Sequence, residues 1–523
     1  MNLFKRITGM RTACQPRPRR LHGSFWLLTA LAATVLLVGR APARSSGHRE
    51  DAYGYRQAAE ACVARHQYAQ AADAYLKAAA IYQQKGDPGA AFALRARAER
   101  YESAIALYYE RPADETHLRR YYTGRRLEPL YGAYIGAFID RESGVNDGYM
   151  DENFQTHKDC GEFNERIGRD HALFFEYMRY GRPFPSRWTD HLRRYHAAAQ
   201  LVLSPENLED VQDDAYLHTL ARQAYRSGVP IFLRFAGEMN GDWVPYHGNP
   251  ALYIKKFRLV ARVFHEETDN VALVWCVNDV PEAEIPRYFP GDDAVDWVGV
   301  NFYSVLYNNN DRSHPAWWRN PADSLRYVYK TYAGRHPIMI GEWAATHKGR
   351  ADMVSRPDFA VTKIGQLYSA LPRLYPRVKA VSWLSMNNLE YAEPGRQLND
   401  YSLLEDKRIT TQYANMVSSP YYLDHVSLDE PAMAGVEVAR LEDGVILSGR
   451  VVLSAWARSY EENPRVVYGL AGRKMHDSST PSAHEWVLDT RSLPNGPIIL
   501  SAQVLDSQGK IACQQTLRVL IRN

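Results

Sequence analysis

An α/β fold built on a (β/α)8 TIM barrel is the class this sequence predicts, and three observations predict it. Eight short apolar runs recur between Tyr131 and Asn388. Each is followed by a polar stretch long enough to hold a helix, and together they fill about 260 residues, the size of such a barrel. The runs are Tyr131–Asp140, His171–Tyr180, Ala198–Ser204, Pro230–Glu238, Val271–Asn278, Val295–Tyr303, Pro337–Trp343 and Val378–Met386. Continuous apolar strands alternating with helical stretches indicate a parallel sheet covered on both faces. The domain is expected over residues 125–422, with extra loops in the long crossovers after Asp140 and Tyr303.

The flanking segments follow other patterns. Lys5, Arg6, Arg11, Arg17, Arg19 and Arg20 stand with no acidic residue among them, ahead of an uncharged run from Phe25 to Val38 and then Ala41-Pro42-Ala43. Basic, apolar and small residues in that order predict an export signal over residues 1–43. The run falls short of the ~20 residues that span a bilayer comfortably. Cleavage after Ala43 is therefore favoured over retention, and membrane attachment is expected only if the segment stays uncleaved. A periplasmic, cell-surface or secreted location follows. Losing the seven basic residues of 1–43 takes the formal charge from +3 to −4, leaving no basic stripe for phosphates and arguing against nucleic acid as a partner. Cys62, Cys160, Cys276 and Cys513 are widely spaced with no CxxC pair. No metal site and no cofactor are expected from them. Disulfides are open to an exported protein, but single cysteines in packed interiors are the favoured reading.

Residues 51–108 read as a helical segment of three helices, rich in Ala and Tyr at helical spacing and interrupted by Gly86-Asp87-Pro88. Tyr68, Ala71, Ala72, Tyr75, Ala78, Ala79 and Ile81, followed by Gly86-Asp87, resemble the second half of a tetratricopeptide repeat. The segment is either a collar on the next domain or a docking surface for a protein partner. Residues 425–523 alternate in strand fashion around Glu442-Asp443-Gly444, Pro494-Asn495-Gly496 and Ser507-Gln508-Gly509. They predict an all-β sandwich, and the stretch from Leu447 to Asp506 resembles immunoglobulin-like modules appended to secreted bacterial enzymes. Trp456 and Trp486, in strand patterns, are expected to be buried.

In a barrel of this type chemistry gathers at the C-terminal strand ends, where two glutamates interrupt the apolar runs. Glu238 ends the fourth, within Arg234-Phe235-Ala236-Gly237-Glu238-Met239-Asn240-Gly241-Asp242-Trp243, and Glu342 ends the seventh, within Ile340-Gly341-Glu342-Trp343. Strands four and seven face one another across a barrel mouth, where two carboxyls ~5–5.5 Å apart support a retaining double displacement on a glycosidic bond. Arg234 and the Tyr303 hydroxyl are expected to hold Glu342 as a carboxylate, while a more apolar setting keeps Glu238 protonated. Trp243, Tyr246 and Trp383 offer flat faces to pyranose rings.

On these residues the segment from about Tyr131 to Tyr422 resembles glycoside hydrolase family 26, retaining β-mannanases and related β-glucanases. The matching signature is Arg234, Glu238, Met239-Asn240-Gly241 and Trp243, with Asp213-Asp214 upstream. The resemblance implies Glu238 as acid/base and Glu342 as nucleophile. It also implies Tyr303 as a hydrogen-bond partner of the nucleophile and Trp383 as the floor of the subsite of the attacked sugar; Arg234, Asn240, Trp243 and Tyr246 join them as candidate substrate-binding residues. Structural alternatives stay open for each: an ion pair for Arg234, a strand-end aromatic for Tyr303, core packing for Trp243, Tyr246 and Trp383. One departure stands out. The family ordinarily carries a histidine directly before the acid/base, and here that position is Gly237. The expected function is a retaining glycoside hydrolase, acting in endo mode on a β-linked polysaccharide that is either mannan-like or a bacterial exopolysaccharide. The rival readings are a transglycosylase and a non-catalytic polysaccharide-binding protein of an export or assembly complex.

Overall fold

A computed structural model describes residues 51–479 and 483–523; the expected export signal lies outside them. The described chain divides into two compact units, residues 51–99 and 100–523. The first is helical, as predicted, with helices Ala52–Ala64, Tyr68–Gln84 and Pro88–Tyr101. Asp51 caps the first helix by accepting from the Gly54 N–H at 2.7 Å. On the second, Ala71, Ala72, Ala78 and Ala79 are buried, and residues this small let helices approach closely.

In the second unit the eight predicted runs form eight strands: β1 (Ala133–Arg141), β2 (Leu173–Arg179), β3 (Ala198–Ser204), β4 (Ile231–Phe235), β5 (Val271–Asn278), β6 (Trp297–Ser304), β7 (Ile338–Ala345) and β8 (Val378–Met386). Each pairs in parallel with the next, and β8 pairs with β1 to close the barrel. Every residue of β7 and β8 is buried, as expected of strands covered on both faces. Local chemistry sets the helix starts. Asp214 accepts from the Leu217 N–H ahead of helix Ala215–Arg226. Asn249 accepts from the Leu252 N–H ahead of helix Pro250–Glu267, where proline at the first position has no N–H to satisfy.

The boundary of the helical segment needs correction. Ala104–Pro112 is not helical but a strand, pairing antiparallel with Val436–Arg440 on one side and Arg450–Arg458 on the other. It completes a four-stranded sheet that faces a five-stranded one, and Leu107, Leu453, Val466, Tyr468, Leu500 and Val519 are buried in the core between them. Ala106 and Tyr108 are buried on the opposite face with Val438. This strand is apolar on both faces and lacks the strict alternation that would have marked it. The C-terminal β-region therefore incorporates a strand that precedes the barrel. Trp456 and Trp486 are half-buried rather than buried, and Trp486 stacks on His476 with ring centroids 6.1 Å apart. Arg373, on helix Pro357–Leu374 of the barrel, donates to Ser454 Oγ at 2.9 Å, and Arg458 grips Asp323 at 2.7 and 2.8 Å. These bonds fix the β-region to the barrel wall. The four cysteines of the described residues are free thiols.

Candidate active site

Two backbone irregularities place the two glutamates at the barrel mouth. In β7, Ile340 lies opposite Val300 of β6, while Glu342 lies opposite Asn301, so Gly341 is an extra residue. A bulge of this kind re-aims the side chain that follows it. The Gly341 carbonyl accepts from Gln200 Nε2 at 2.9 Å and from Arg234 Nη1 at 3.3 Å. A Cβ at Gly341 would come 2.8 Å from Asn301 Oδ1, 3.0 Å from Cys276 Sγ and 3.2 Å from Arg234 Cζ, so the crowding by Asn301 and its neighbours favours glycine here. After β4 the chain turns sharply, with Ala236 at φ 47° and Glu238 at φ 60°. These left-handed conformations cost roughly 1–3 kcal/mol each. The turn is held by Ala236 N–H to Leu203 O (2.9 Å), Glu238 N–H to Cys276 O (2.8 Å) and Tyr246 O–H to Gly237 O (2.7 Å).

The two carboxyls sit in different surroundings. Glu342, 7% exposed, accepts from Arg234 Nη2 at 2.8 Å and from the Tyr303 hydroxyl at 2.6 Å. Glu238 accepts from Trp243 Nε1 at 2.7 Å, Asn301 Nδ2 at 2.8 Å and Asn278 Nδ2 at 3.2 Å. Burial, and then the charge of Glu342, raise the Glu238 carboxyl above the ordinary carboxylate range, against these three donors. Burial and the same charge push the Tyr303 and Tyr177 phenols well up, so both remain O–H groups beside Glu342.

The expected site residues divide into those that meet here and those that support them. Arg234, Glu238, Trp243, Tyr303 and Glu342 converge through the bonds above. Asn240 is fully buried and spent on structure: its Nδ2 donates to Asn278 O at 2.9 Å and its Oδ1 accepts from Asn278 N–H at 2.9 Å. Tyr246 is buried under the turn through its bond to Gly237. Trp383 is corrected most clearly. Its neighbour Ser382 points into the barrel, donating to Gln200 Oε1 at 3.0 Å, so strand alternation sends Trp383 outward. There its ring packs on Tyr413 of helix Lys407–Val417 and its Nε1 donates to Tyr401 O at 2.9 Å. With no exposed surface it presents no face to a sugar. Asp213 pairs with Arg262 and His218, away from both glutamates, and Asp214 is the helix cap already described.

Several participants escaped the sequence reading. Asn278 and Asn301 stand opposite one another on β5 and β6, with Glu342 next in the row. Asn278 ends an apolar run and Asn301 interrupts one, a signal close to that which marked the glutamates. Cys276 donates its thiol to Asn301 Oδ1 at 3.1 Å, which turns the Asn301 Nδ2 toward Glu238; burial pushes that thiol up to about 12, so it stays protonated. Gly241 carries no Cβ because one would lie 2.3 Å from the Trp243 ring; glycine there seats the indole against Glu238. Trp243→Phe removes one donor to the charged form of Glu238. A hydrogen bond to a charge is worth about 1.5–3 kcal/mol, so the Glu238 carboxyl is expected to rise further in this variant. A carbon-13 titration of Glu238 checks this, and an unmoved carboxyl would remove Trp243 from the account.

Comparison with known proteins places this geometry in context. Residues 199–322 match the family model for glycosyl hydrolase family 26. Over that stretch the barrel is similar to the glycoside hydrolases of family 26. That family is one of retaining O-glycosyl hydrolases acting on polysaccharides. The family 26 match spans β3 to β6 and contains Arg234, Glu238 and Tyr303; Glu342 lies beyond it and rests on the geometry above. A β-1,3-xylanase of a Vibrio species is 33% identical over 140 residues, 25% of this chain and 30% of that protein. Endoglucanase H of Acetivibrio thermocellus is 25% identical over 193 residues, 35% of this chain and 20% of that one. The chain thus spans less than a third of the length of these curated relatives. A modular endo-β-1,4-mannanase from Cellulomonas fimi, of known structure, is 14% identical, with 79% of this chain and 98% of that chain covered and a TM-score of 0.41.

Proposed function

We propose that the protein is a retaining endo-glycoside hydrolase of a β-linked polysaccharide, with Glu342 as nucleophile and Glu238 as general acid and base. The observation that carries this reading is the pair of strand-end glutamates in opposite settings. Glu342 accepts from the cationic Arg234 and from Tyr303, whereas Glu238 accepts only from neutral donors and has its carboxyl raised by burial and by the charge of Glu342. Glu342 attacks the anomeric carbon while Glu238 gives its proton to the departing glycosidic oxygen. Once Glu342 is esterified its charge is gone, and one of the two causes that raised Glu238 goes with it. Glu238 then takes the proton of the incoming water as that water breaks the ester. The basic, apolar and small-residue leader supports an exported enzyme.

The substrate reading rests on Gly237. A Cβ at this position would meet Cys276 O at 3.6 Å and Arg234 Nη2 at 3.7 Å, ordinary contacts, so the backbone itself does not demand glycine here. Glycine places no imidazole beside Arg234, and the lost contact favours a differently substituted sugar, such as an acylated residue of an exopolysaccharide. A missing hydrogen bond of about 1.5–3 kcal/mol corresponds to about 10- to 150-fold in rate. The wild type is therefore expected to act weakly on plain β-1,4-mannan and faster on a substituted exopolysaccharide, with Gly237→His raising the mannan rate. Product mass analysis over a panel of β-1,4-mannan, β-1,3-xylan, β-glucan and acylated bacterial exopolysaccharides checks this. Efficient mannan cleavage by the wild type, little changed by Gly237→His, would defeat the substrate reading and leave the two glutamates standing.

A further inference from the structure

Beyond the barrel mouth, a hairpin of Asp147–Met150 and Thr156–Lys158 folds beside β1 and β2. Three side chains from separate pieces of chain meet beneath it: Asp151 from the hairpin loop, His157 from its second strand and Glu176 from β2. They are 3%, 0% and 1% exposed. One oxygen of each carboxylate and one imidazole nitrogen lie within 4.8 Å of one another. His157 Nε2 is 3.5 Å from Asp151 Oδ2 and 3.9 Å from Glu176 Oε2. Neither His157 Nε2 nor Glu176 Oε2 makes a hydrogen bond among the described residues. The separations are too long for hydrogen bonds of about 2.7–3.2 Å. They approach the ~3.3 Å edge of a tetrahedral site with bonds of about 2.0–2.1 Å.

The remaining polar atoms of these groups are held in the way metal ligands are held. Asp140 Oδ2 lies 2.8 Å from His157 Nδ1, which directs Nε2 into the cluster. Asp151 Oδ1 accepts from the N–H groups of Asn153 and Gln155 at 2.8 Å each, leaving Oδ2 only a 3.4 Å contact from Asn153 Nδ2. Glu176 Oε1 accepts from Gln155 Nε2 at 3.0 Å, leaving Oε2 free. Three carboxyl groups, Asp140 included, surround one imidazole, a donor set of the kind that holds a dication. Tyr149 and Trp188 pack on the imidazole at 5.3 and 6.2 Å between ring centroids.

We propose that Asp151, His157 and Glu176 bind one divalent transition-metal cation, zinc or manganese, which pins the hairpin to β2. One imidazole with two carboxylates suits such ions better than calcium, which takes oxygen ligands. The next residue on β2 is Tyr177, beside Glu342, so the cation would also stiffen one wall of the barrel mouth. The sequence reading missed this set because it weighed cysteine pairs for metal binding, and ligands spread over positions 151, 157 and 176 have no fixed spacing.

The full chain, freed of metal by chelator and titrated calorimetrically with Zn2+, Mn2+ and Ca2+ in turn, tests it. Uptake of one equivalent of Zn2+ or Mn2+ is expected, with a rise in the thermal unfolding midpoint and no comparable response to Ca2+. Glu176→Gln and Asp151→Asn should each weaken binding by at least about 10-fold. Should either variant fail to fold, nitrogen-15 shifts of His157 in the wild type decide: the metal is expected to take the place of the Nε2 proton, which is released to solvent. A wild type that takes up neither Zn2+ nor Mn2+, or whose His157 keeps both ring protons in excess Zn2+, would overturn the site. Binding undiminished in both folded variants would overturn it equally.

Discussion

Glu342→Ala is expected to abolish turnover of polysaccharide and aryl glycoside alike, by a factor on the order of 10⁴–10⁶, the range seen when a covalent nucleophile is removed. The same change leaves the Arg234 guanidinium, 1% exposed, without its carboxylate partner. Losing one partner of a buried pair costs about 3–5 kcal/mol, so the variant should also unfold at a lower temperature. Azide ties the two effects together. It fits the space the carboxylate vacates, restores a negative charge beside Arg234 and attacks the anomeric carbon directly. Partial recovery of activity, a glycosyl azide of inverted configuration and a raised unfolding temperature should appear together. Steady-state rates, proton NMR of the azide product and calorimetry check each part. Wild-type rates in Glu342→Ala would remove the residue from the chemistry.

Glu238→Ala should behave differently. Polysaccharide hydrolysis is expected to fall by about 10²–10⁴-fold, the usual contribution of a positioned acid, while aryl glycosides with good leaving groups still form the covalent intermediate because they need little protonation. Azide then gives a product of retained configuration. The pH profile carries a second signature. The Glu238 carboxyl is raised by burial and by the charge of Glu342, so its proton is present at low pH and is lost above the ordinary carboxylate range near pH ~4.3. Wild-type kcat/KM should fall as pH rises through that raised value, and the fall should vanish in Glu238→Ala. The sign for stability is the same: a carboxyl whose folded value is raised stabilises below its unfolded value and loses that contribution as pH rises through the folded one. Identical losses on both substrate types, with no azide product, would contradict the assignment.

The barrel was legible because its strands are continuous apolar runs, a pattern that survives without knowledge of neighbours. All eight strands fall within or beside the predicted runs. Ala104–Pro112 was not legible, since a strand apolar on both faces resembles a helix when read locally, and its partners lie more than 300 residues away. At the site, Glu238 and Glu342 were visible as charges ending apolar strands. Trp383 was misplaced for a reason of parity: which face of β8 it occupies depends on register, fixed by Ser382 meeting Gln200 across the barrel. Asn240 carried the right position but the wrong role, because a motif gives no sign of whether an amide faces a ligand or its own backbone. Asn278 and Asn301 were within reach of the rule that found the glutamates, and only their lack of charge hid them.

A double displacement through Glu342 and Glu238 fixes the anomeric configuration of the first product. Proton NMR of a reducing-end product, recorded before mutarotation, should show the β-anomer of a β-linked substrate appearing first, with the α-anomer growing in only as the sugar equilibrates. The α-anomer appearing first would mean that water attacks the substrate in a single step, and Glu342 would then not be the nucleophile.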